Sequence, residues 1–275
     1  MSATLKKIAL FSDLTGFGRC ATAVALPIIS AMKVQCAIAP TSILSTHPGF
    51  PGFYFDDYTE KLPHYLAGWK AADLTFDGIA AGFLGSPAQI DILRTFIRDT
   101  RTDRTVVLID PVMGDHGHLY STYTEEMCTA MKQLITDADI ITPNLTEACL
   151  LTDTAYQPER LRNKDLEAMA AELAARGPAK VVITGIRQKG FIANLIYESG
   201  QPARFTRSYR IGSDRPGTGD IFAAILAADA VKGLPFSDSV KKASRFVKRC
   251  IQRSEELAIP KAHGVCFEEV LSSLH

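Results

Sequence analysis

Hydrophobic positions along the chain form short β-rich runs that alternate with longer stretches of helical periodicity. The strand-like runs are KIALF (7–11), VQCAIA (34–39), FDGIAAG (76–82), TVVLID (105–110), ADIIT (138–142) and KVVIT (180–184). Helical patterns cover 18–33, Pro87–Arg101, Thr124–Thr136, Lys164–Arg176, Asp220–Lys232 and Ser237–Glu256. Strands alternating with helices predict an α/β protein with a mostly parallel central sheet.

Two segments depart from this alternation. Residues Ser45–Tyr58, STHPGFPGFYFDDY, combine prolines, glycines and aromatic residues, which suits either a lid over a ligand or a packed surface loop. Residues Phe191–Ser208 predict a β-hairpin around Ser199 and Gly200, and therefore an antiparallel edge to the sheet. No repeat or flexible linker divides the chain, so we expect a single domain over residues 1–275 with a short lid at 45–58.

The charge balance narrows the class of partner. Thirty Lys and Arg residues match thirty Asp and Glu residues in a chain of 275, and the formal net charge is zero. No overall field attracts nucleic acid or an anionic membrane, so a small molecule is the expected ligand.

Cysteine usage and the first residues indicate the compartment. The six cysteines include no C-x-x-C pair, which predicts free thiols in a reducing environment. The apolar run in MSATLKKIALFSDL is too short for a signal peptide or a membrane span. We therefore expect a first strand here and a cytoplasmic protein.

Polar residues follow several of the predicted strands. They are Ser12 and Asp13, Asp110, Thr142 and Asn144, and Thr184. Each one alone has an ordinary explanation as a cap or turn former. Because ligands of parallel α/β sheets bind at the carboxyl ends of strands, the whole set predicts a site at that edge.

The segment DPVMGDHGHLY places the carboxyl groups of Asp110 and Asp115 around a turn. Mg²⁺ favours one or two carboxylates completed by water and phosphate oxygens, so this pair is a candidate magnesium site. His116 and His118 lack a third soft ligand nearby and are interpreted as surface residues.

The next motif, TPNLTEA, adds Thr142, Asn144 and Glu147. Asn144 and Glu147 have the spacing of a capping box at a helix start, which is compatible with a further role beside a metal.

The segment DRPGTGD leads into an apolar helical run. Glycines before a helix expose unpaired backbone N–H groups at the positive end of the helix dipole, which predicts an anion site at Gly217, Thr218 and Gly219. A carboxylate next to such a site suits a base that accepts a hydroxyl proton during phosphoryl transfer, and Asp220 is the candidate. The structural alternative is that Asp220 only caps the helix.

Two nucleotide-binding signatures are missing from the sequence. It contains no G-x-x-x-x-G-K-[ST] loop, and GFGRC lacks the third glycine of a dinucleotide fingerprint. Oxidoreductase chemistry therefore has no support.

Together, DPVMGDHGHLY, ITPNLTEA, VVITG and RPGTGD resemble the ribokinase-like superfamily, and specifically its vitamin B6 kinases. The resemblance extends over almost the whole chain. It implies a three-layer αβα sandwich, ATP-dependent phosphorylation of the 5′-hydroxymethyl group of pyridoxal, pyridoxamine or pyridoxine, and a homodimer.

The resemblance also implies residue roles. Asp220 would be the general base, with Gly217, Thr218 and Gly219 as the anion hole. Asp110, Asp115, Thr142 and Glu147 would surround Mg²⁺, a monovalent cation (K⁺ or Na⁺) and the ATP phosphates, with Asn144, Thr184, Gly185 and Thr218 also along the nucleotide. Ser12 and Phe83 would meet the pyridine ring, and Thr46 and His47 would contact the substrate from the lid.

One departure concerns the lid, where many pyridoxal kinases have His-Thr-Gly and this chain has His47-Pro48-Gly49. The preferred vitamer is therefore left open. A hydroxymethylpyrimidine kinase is the alternative within the fold, although its family commonly has cysteine in place of Asp220. A sugar kinase lacks support because the early Gly-Gly motif is missing. A non-catalytic vitamer-binding protein would not need a base, yet Asp110, Asp115 and Asp220 are all present.

Overall fold

The structure is a computed structural model that describes residues 5–121 and 123–274. Contacts along the chain define two compact units. The first contains the chain up to Val106 and again from Ile211 onward, and the second is Val107–Arg210. The single domain expected over residues 1–275 stays a prediction.

The described residues form eleven strands and eight α-helices. In chain order these are β1 (Lys7–Phe17), α1 (Thr22–Ala31), β2 (Gln35–Thr46), β3 (Phe55–Asp57), α2 (Leu62–Ala71), β4 (Gly78–Ala81), α3 (Pro87–Thr100), β5 (Val106–Ile109), β6 (Gly114–Asp115), β7 (His118–Leu119), α4 (Glu125–Leu134), β8 (Ile140–Ile141), α5 (Leu145–Leu151), α6 (Asn163–Ala175), β9 (Lys180–Gln188), β10 (Phe191–Glu198), β11 (Arg204–Tyr209), α7 (Thr218–Val231) and α8 (Phe236–Glu256). All six predicted helical patterns are confirmed to within a few residues. None of the described helices is long and apolar enough to cross a membrane.

In the first unit β1 lies between β2 and β4, parallel to both, and β3 pairs antiparallel with β2. The apolar run of β1 is completely buried from Ile8 to Phe11. Helix α7 packs against α1 and α8 and is apolar on nearly every side, the pattern of a helix inside a core. Packing in the hydrophobic core therefore holds the carboxyl end of β1 and the first turn of α7 in place.

In the second unit β5, β8 and β9 are parallel, and β10 and β11 continue antiparallel to β9. The hairpin predicted around Ser199 and Gly200 is confirmed, since Ile196 on β10 pairs with Arg204 on β11. Gly200 takes the positive φ of 79° that the turn requires. A mostly parallel sheet with an antiparallel edge is the predicted architecture.

Strands β1, β2 and β9 are longer than predicted. Strand β1 continues to Phe17 and β9 to Gln188, so Ser12, Asp13 and Thr184 lie inside strands, and their placement after strand ends was wrong. Backbone pairing with β2 maintains β1 through its polar residues, with a register shift between Ser12 and Leu14. Hydrophobicity cannot report this pairing, because it depends on a neighbouring strand rather than on side chains.

The predicted irregular segment 45–58 is partly regular. Strand β2 extends to Thr46, and Phe55–Asp57 is the edge strand β3. Helix α2, which follows, was not predicted because Leu62 is its one buried residue, leaving little apolar periodicity to detect.

Candidate active site

The first turn of α7 begins at Gly217, which has a φ of 90° and makes no side-chain cap. A side chain here would collide with the carbonyl oxygen of Arg19, so both the conformation and the space require glycine. The first intrahelical bond is donated by the N–H of Ile221 to the oxygen of Gly217. The N–H groups of Thr218 and Gly219 precede that bond and have no intrahelical acceptor, so they are available to bind an anion.

Asp220 is the third residue of α7 and is half-buried. The N-cap is Gly217, so the structural alternative, in which Asp220 only caps the helix, was wrong. The backbone N–H groups of Ala21 and of Asp220 itself favour the ionised carboxylate and act to lower its pKa. Burial raises the pKa of Asp220, which strengthens it as a proton acceptor. Ala21 has a φ of 52° and a ψ of −137°, a strained conformation for alanine.

A second carboxyl group belongs to Asp13 on β1. Asp13 is buried and accepts a 2.6 Å hydrogen bond from the hydroxyl of Thr15. Burial, with a smaller contribution from the charge of Asp220, raises the pKa of Asp13 to about 6. Burial raises the pKa of the Cys20 thiol as well, and the charges of Asp220 and Asp13 add to the increase. The sequence placed Asp13 near a site but gave it no role, because one aspartate in a strand has no recognisable spacing.

The raised pKa of Asp13 predicts that the free energy of unfolding of the protein depends on pH. Because its folded-state pKa of about 6 exceeds the ordinary 3.8, ionising Asp13 destabilises the fold above pH 6, and the penalty disappears below the ordinary value. Asp13→Asn is therefore expected to increase the free energy of unfolding near pH 8 by up to about 3 kcal/mol. The gain should shrink toward zero near pH 4. Urea denaturation of both proteins across this range measures it, and a gain independent of pH would contradict the buried charge.

Ser12 and Phe83 are brought to the same part of the first unit. Ser12 is buried on β1, and its hydroxyl lies 3.3 Å from the position of a Cβ added to Gly82. The backbone oxygen of the next residue, Phe83, accepts a 2.8 Å bond from Thr41. The two residues implied for the pyridine ring are thus neighbours.

Both ring nitrogens of His47 form hydrogen bonds with main-chain groups. Its Nδ1 accepts from the N–H of Gly49 at 3.0 Å, so its Nε2 carries the proton and donates to the oxygen of Ala262 at 2.7 Å. Phe50 packs on the ring edge. Thr46, at the end of β2, is half-buried. This arrangement makes His47 an anchor of the turn after β2 and leaves neither ring nitrogen for a substrate in this conformation.

Residues 259–264, which we term the C-terminal strap, hold several of these loops through main-chain carbonyls. Arg215, whose side chain is 3% exposed, donates to the oxygens of Ile259 at 2.8 Å and Pro260 at 3.3 Å and pairs with Glu255 at 3.1 Å. The N–H of Arg19 donates to the strap at His263. The strap therefore fixes the loop before α7, the loop after β1 and the turn that carries His47. Carbonyl oxygens carry no sequence signature, so the strap was not predicted.

In the second unit, Asp110 and Thr142 follow β5 and β8 as predicted. Both are buried, and the hydroxyl of Thr142 donates to the Oδ1 of Asp110 at 2.7 Å. Two neighbouring parallel strands thus place a carboxylate and a hydroxyl side by side.

The capping box of α5 is confirmed. Asn144 Oδ1 accepts from the N–H of Glu147 at 3.0 Å, and Glu147 Oε2 accepts from the N–H of Asn144 at 2.7 Å. Glu147 Oε1 also accepts from the N–H of Met113 at 3.2 Å. Burial, followed by the charge of Asp110, raises the pKa of Glu147 well above its usual range. Two backbone donors hold Glu147, and a cation nearby would compensate the burial of two carboxylates.

The remaining nucleotide candidates occupy β6 and β9. Thr184 donates its N–H to the oxygen of Pro143 at 2.9 Å, next to Asn144, and Gly185 takes a φ of 69°. Asp115 is about half exposed on β6 and accepts from the N–H of His116. His116 and His118 are exposed, as expected of surface histidines.

The donors of the second unit suit a hard cation with few protein ligands. The described residues contain no group of three or more His, Cys, Asp or Glu side chains placed to enclose a metal. Asp110, Glu147 and the hydroxyl of Thr142 instead form an oxygen-only set. Mg²⁺ accepts such sets because it keeps several waters and completes its shell with phosphate oxygens. The residues present therefore fit magnesium.

Comparisons with known proteins agree with this geometry. The profile of the family described as phosphomethylpyrimidine kinase matches residues 67–266. A pyridoxine/pyridoxal/pyridoxamine kinase from Bordetella avium is 30% identical over 86% of this chain and 81% of its own. A Bacteroides thetaiotaomicron protein assigned to the phosphomethylpyrimidine kinases and crystallised with pyridoxal is 34% identical, with a TM-score of 0.95 over 98% of this chain and 96% of its own.

The pyridoxal kinase of Lactobacillus plantarum has a TM-score of 0.91 at 30% identity, over 98% of this chain and 97% of its own. These likenesses confirm the predicted ribokinase-like architecture, a mostly parallel sheet with antiparallel strands flanked by helices. The chain therefore belongs to the phosphomethylpyrimidine kinase family, as a kinase of its vitamin B6 branch with the ribokinase-like fold.

Proposed function

We propose that this kinase transfers the γ-phosphoryl group of ATP to the 5′-hydroxymethyl group of a vitamin B6 vitamer. The observation that carries the proposal is the first turn of α7, where the carboxylate of Asp220 lies beside the free N–H groups of Thr218 and Gly219. Relatives named for pyridoxal, pyridoxine and pyridoxamine support the substrate class.

The chemistry follows from those groups. Asp220 accepts the proton of the substrate hydroxyl as its oxygen forms a bond to the γ-phosphorus, and the bond to the bridging oxygen of ADP breaks. The N–H groups after Gly217 stabilise charge on the transferred phosphoryl group. Ser12 and Phe83 orient the pyridine ring.

The residues of the second unit would hold the nucleotide. We assign Asp110, Asn144, Glu147, Thr184 and Gly185 to the phosphates of ATP and their cations. Thr142 and the more exposed Asp115 complete the oxygen donors for Mg²⁺ and for a monovalent cation, K⁺ or Na⁺. Bound Mg²⁺ would neutralise the charge that develops on the phosphate oxygens.

Assembly and location remain predictions from the resemblance and the composition. We propose a homodimer in the cytoplasm, with a vitamer and ATP as the small-molecule partners and no nucleic acid or membrane.

The alternative substrate is hydroxymethylpyrimidine, which the description of the matching family favours. Asp220 supports a B6 vitamer because hydroxymethylpyrimidine kinases commonly have cysteine there. The buried carboxyls of Asp13 and Asp110 argue against a non-catalytic binding protein, since buried carboxyls destabilise a fold that does not use them.

A side-by-side assay tests the substrate. ATP consumption is measured with pyridoxal, pyridoxamine, pyridoxine and hydroxymethylpyrimidine, and we expect the highest kcat/KM with a B6 vitamer. Preference for hydroxymethylpyrimidine would move the chain to the alternative. If none of the four consumes ATP, both kinase assignments fail.

A further inference from the structure

The amide of Gln89 lies in the first turn of α3 and is completely buried. Ser86 caps this helix, because its hydroxyl accepts from the N–H of Gln89 at 3.2 Å. In a capping box the side chain three residues after the cap bonds to the N–H of the cap residue itself. The Oε1 of Gln89 instead accepts from the N–H of Gly85, one residue before the cap, at 2.8 Å. The side chain therefore holds the loop that leads into the helix.

The nitrogen of the same amide joins this loop to two strands. Nε2 lies 2.7 Å from the main-chain oxygen of Thr41 on β2, 2.9 Å from the Oδ1 of Asp57 on β3 and 2.9 Å from the hydroxyl of Thr59. A main-chain oxygen and a carboxylate can only accept hydrogen bonds, so the group that faces them must be a donor. A glutamate would serve equally well in a capping box, but here it would face these oxygens with another oxygen. The contacts therefore require glutamine at position 89.

The loop held in this way contains a residue assigned to the pyridine ring. Residues 82–85, which we term the ring loop, lie between β4 and α3 and include Phe83. The hydroxyl of Thr41 donates to the main-chain oxygen of Phe83 at 2.8 Å. Ser12, the other residue assigned to the ring, lies beside the first residue of the loop. Thr41 and Gln89 thus bond to the ring loop at two points, two residues apart.

We propose that Gln89 is a positioning residue for the vitamer, which holds the ring loop against β2 and β3 so that Phe83 meets the pyridine ring. This inference rests on the proposed function. Pyridoxal, pyridoxamine and pyridoxine share the ring and differ in a single substituent, so loss of the amide should weaken the binding of all three. ATP is assigned to other residues, and its binding should not depend on the ring loop.

The kinetic test uses Gln89→Met, which keeps the length of the side chain and removes the hydrogen bonds of the amide. We expect KM for each of the three vitamers to rise about tenfold, the equivalent of about one hydrogen bond, while KM for ATP stays unchanged. Gln201→Met makes the same change in the exposed turn before β11 and should keep wild-type kinetics. An unchanged KM for the vitamers, or an equal rise in KM for ATP, overturns the proposal.

A milder variant covers the case in which Gln89→Met does not fold. Thr41→Val keeps the shape of the side chain and removes only its bond to Phe83, while the main-chain oxygen of residue 41 still accepts from Gln89. We expect KM for the vitamers to rise about two- to fivefold and KM for ATP to stay the same. Vitamer KM values equal to those of the wild type would overturn a role for the ring loop in binding.

Hydrogen exchange tests the contact without any substrate. The N–H of Gly85 should exchange faster by about tenfold in Gln89→Met, because its acceptor is lost, whereas the N–H groups in the middle of α3 should exchange as in the wild type. An unchanged rate at Gly85 overturns the proposal. If Gly85 exchanges faster but no vitamer is phosphorylated by the wild type, the contact stands and the proposed function fails.

Discussion

Replacement of Asp220 by asparagine is expected to lower kcat by roughly 10²- to 10⁴-fold, the usual contribution of a general base. Asparagine has nearly the same shape and keeps one acceptor oxygen, so α7 should keep its position. The N–H groups of Thr218 and Gly219, at the proposed anion site, are unaffected. ATP affinity, measured by calorimetry, should therefore change little while steady-state turnover collapses.

The matched control is Asp238→Asn, which removes an exposed acidic residue from the first turn of α8. The two variants change the same charge at similar positions of neighbouring helices. Only Asp220→Asn should affect turnover, and near-normal turnover in that variant would remove Asp220 from its assigned role.

Substitution of Gly217 by alanine is expected to disrupt the first turn of α7. The φ of 90° is unfavourable for alanine, and the added methyl group would collide with the carbonyl oxygen of Arg19. The backbone must then move, and the N–H groups of Thr218 and Gly219 move with it. We expect a loss of at least about 2 kcal/mol in the free energy of unfolding, together with loss of activity.

Gly233→Ala provides the comparison at the other end of the same helix. Gly233 also has a positive φ, 74°, but nothing lies within 4 Å of the added Cβ. This variant should lose about 1 kcal/mol or less by urea denaturation and keep its turnover. Equal losses in the two variants would show that φ alone matters and that the contact with Arg19 does not.

Much of the fold could be predicted because each signal was local. The apolar periods of α3 and α8 and the hairpin at Gly200 are properties of neighbouring residues, and each element forms where its pattern predicts. Strand ends depend on pairing between distant segments, which explains why β1 and β9 extend beyond their apolar runs.

The residues of the candidate site show the same difference between local signals and contacts between distant segments. Asp110, Thr142 and the capping box of Asn144 and Glu147 follow directly from strand ends and spacing. The contact between Gly217 and Arg19 could not be predicted, because it joins the start of α7 to the loop after β1, two segments far apart in the chain. His47 shows the opposite outcome, since a suggestive motif residue has both ring nitrogens bound to main-chain groups.

The C-terminal strap has an evolutionary consequence. Its bonds to Arg215, Arg19 and His47 are all accepted by carbonyl oxygens, which every amino acid supplies. Relatives can therefore vary in side chains along 259–264 without losing these bonds, whereas an insertion or deletion would move every acceptor out of register. Natural selection is thus expected to preserve the length of this segment more strictly than its composition.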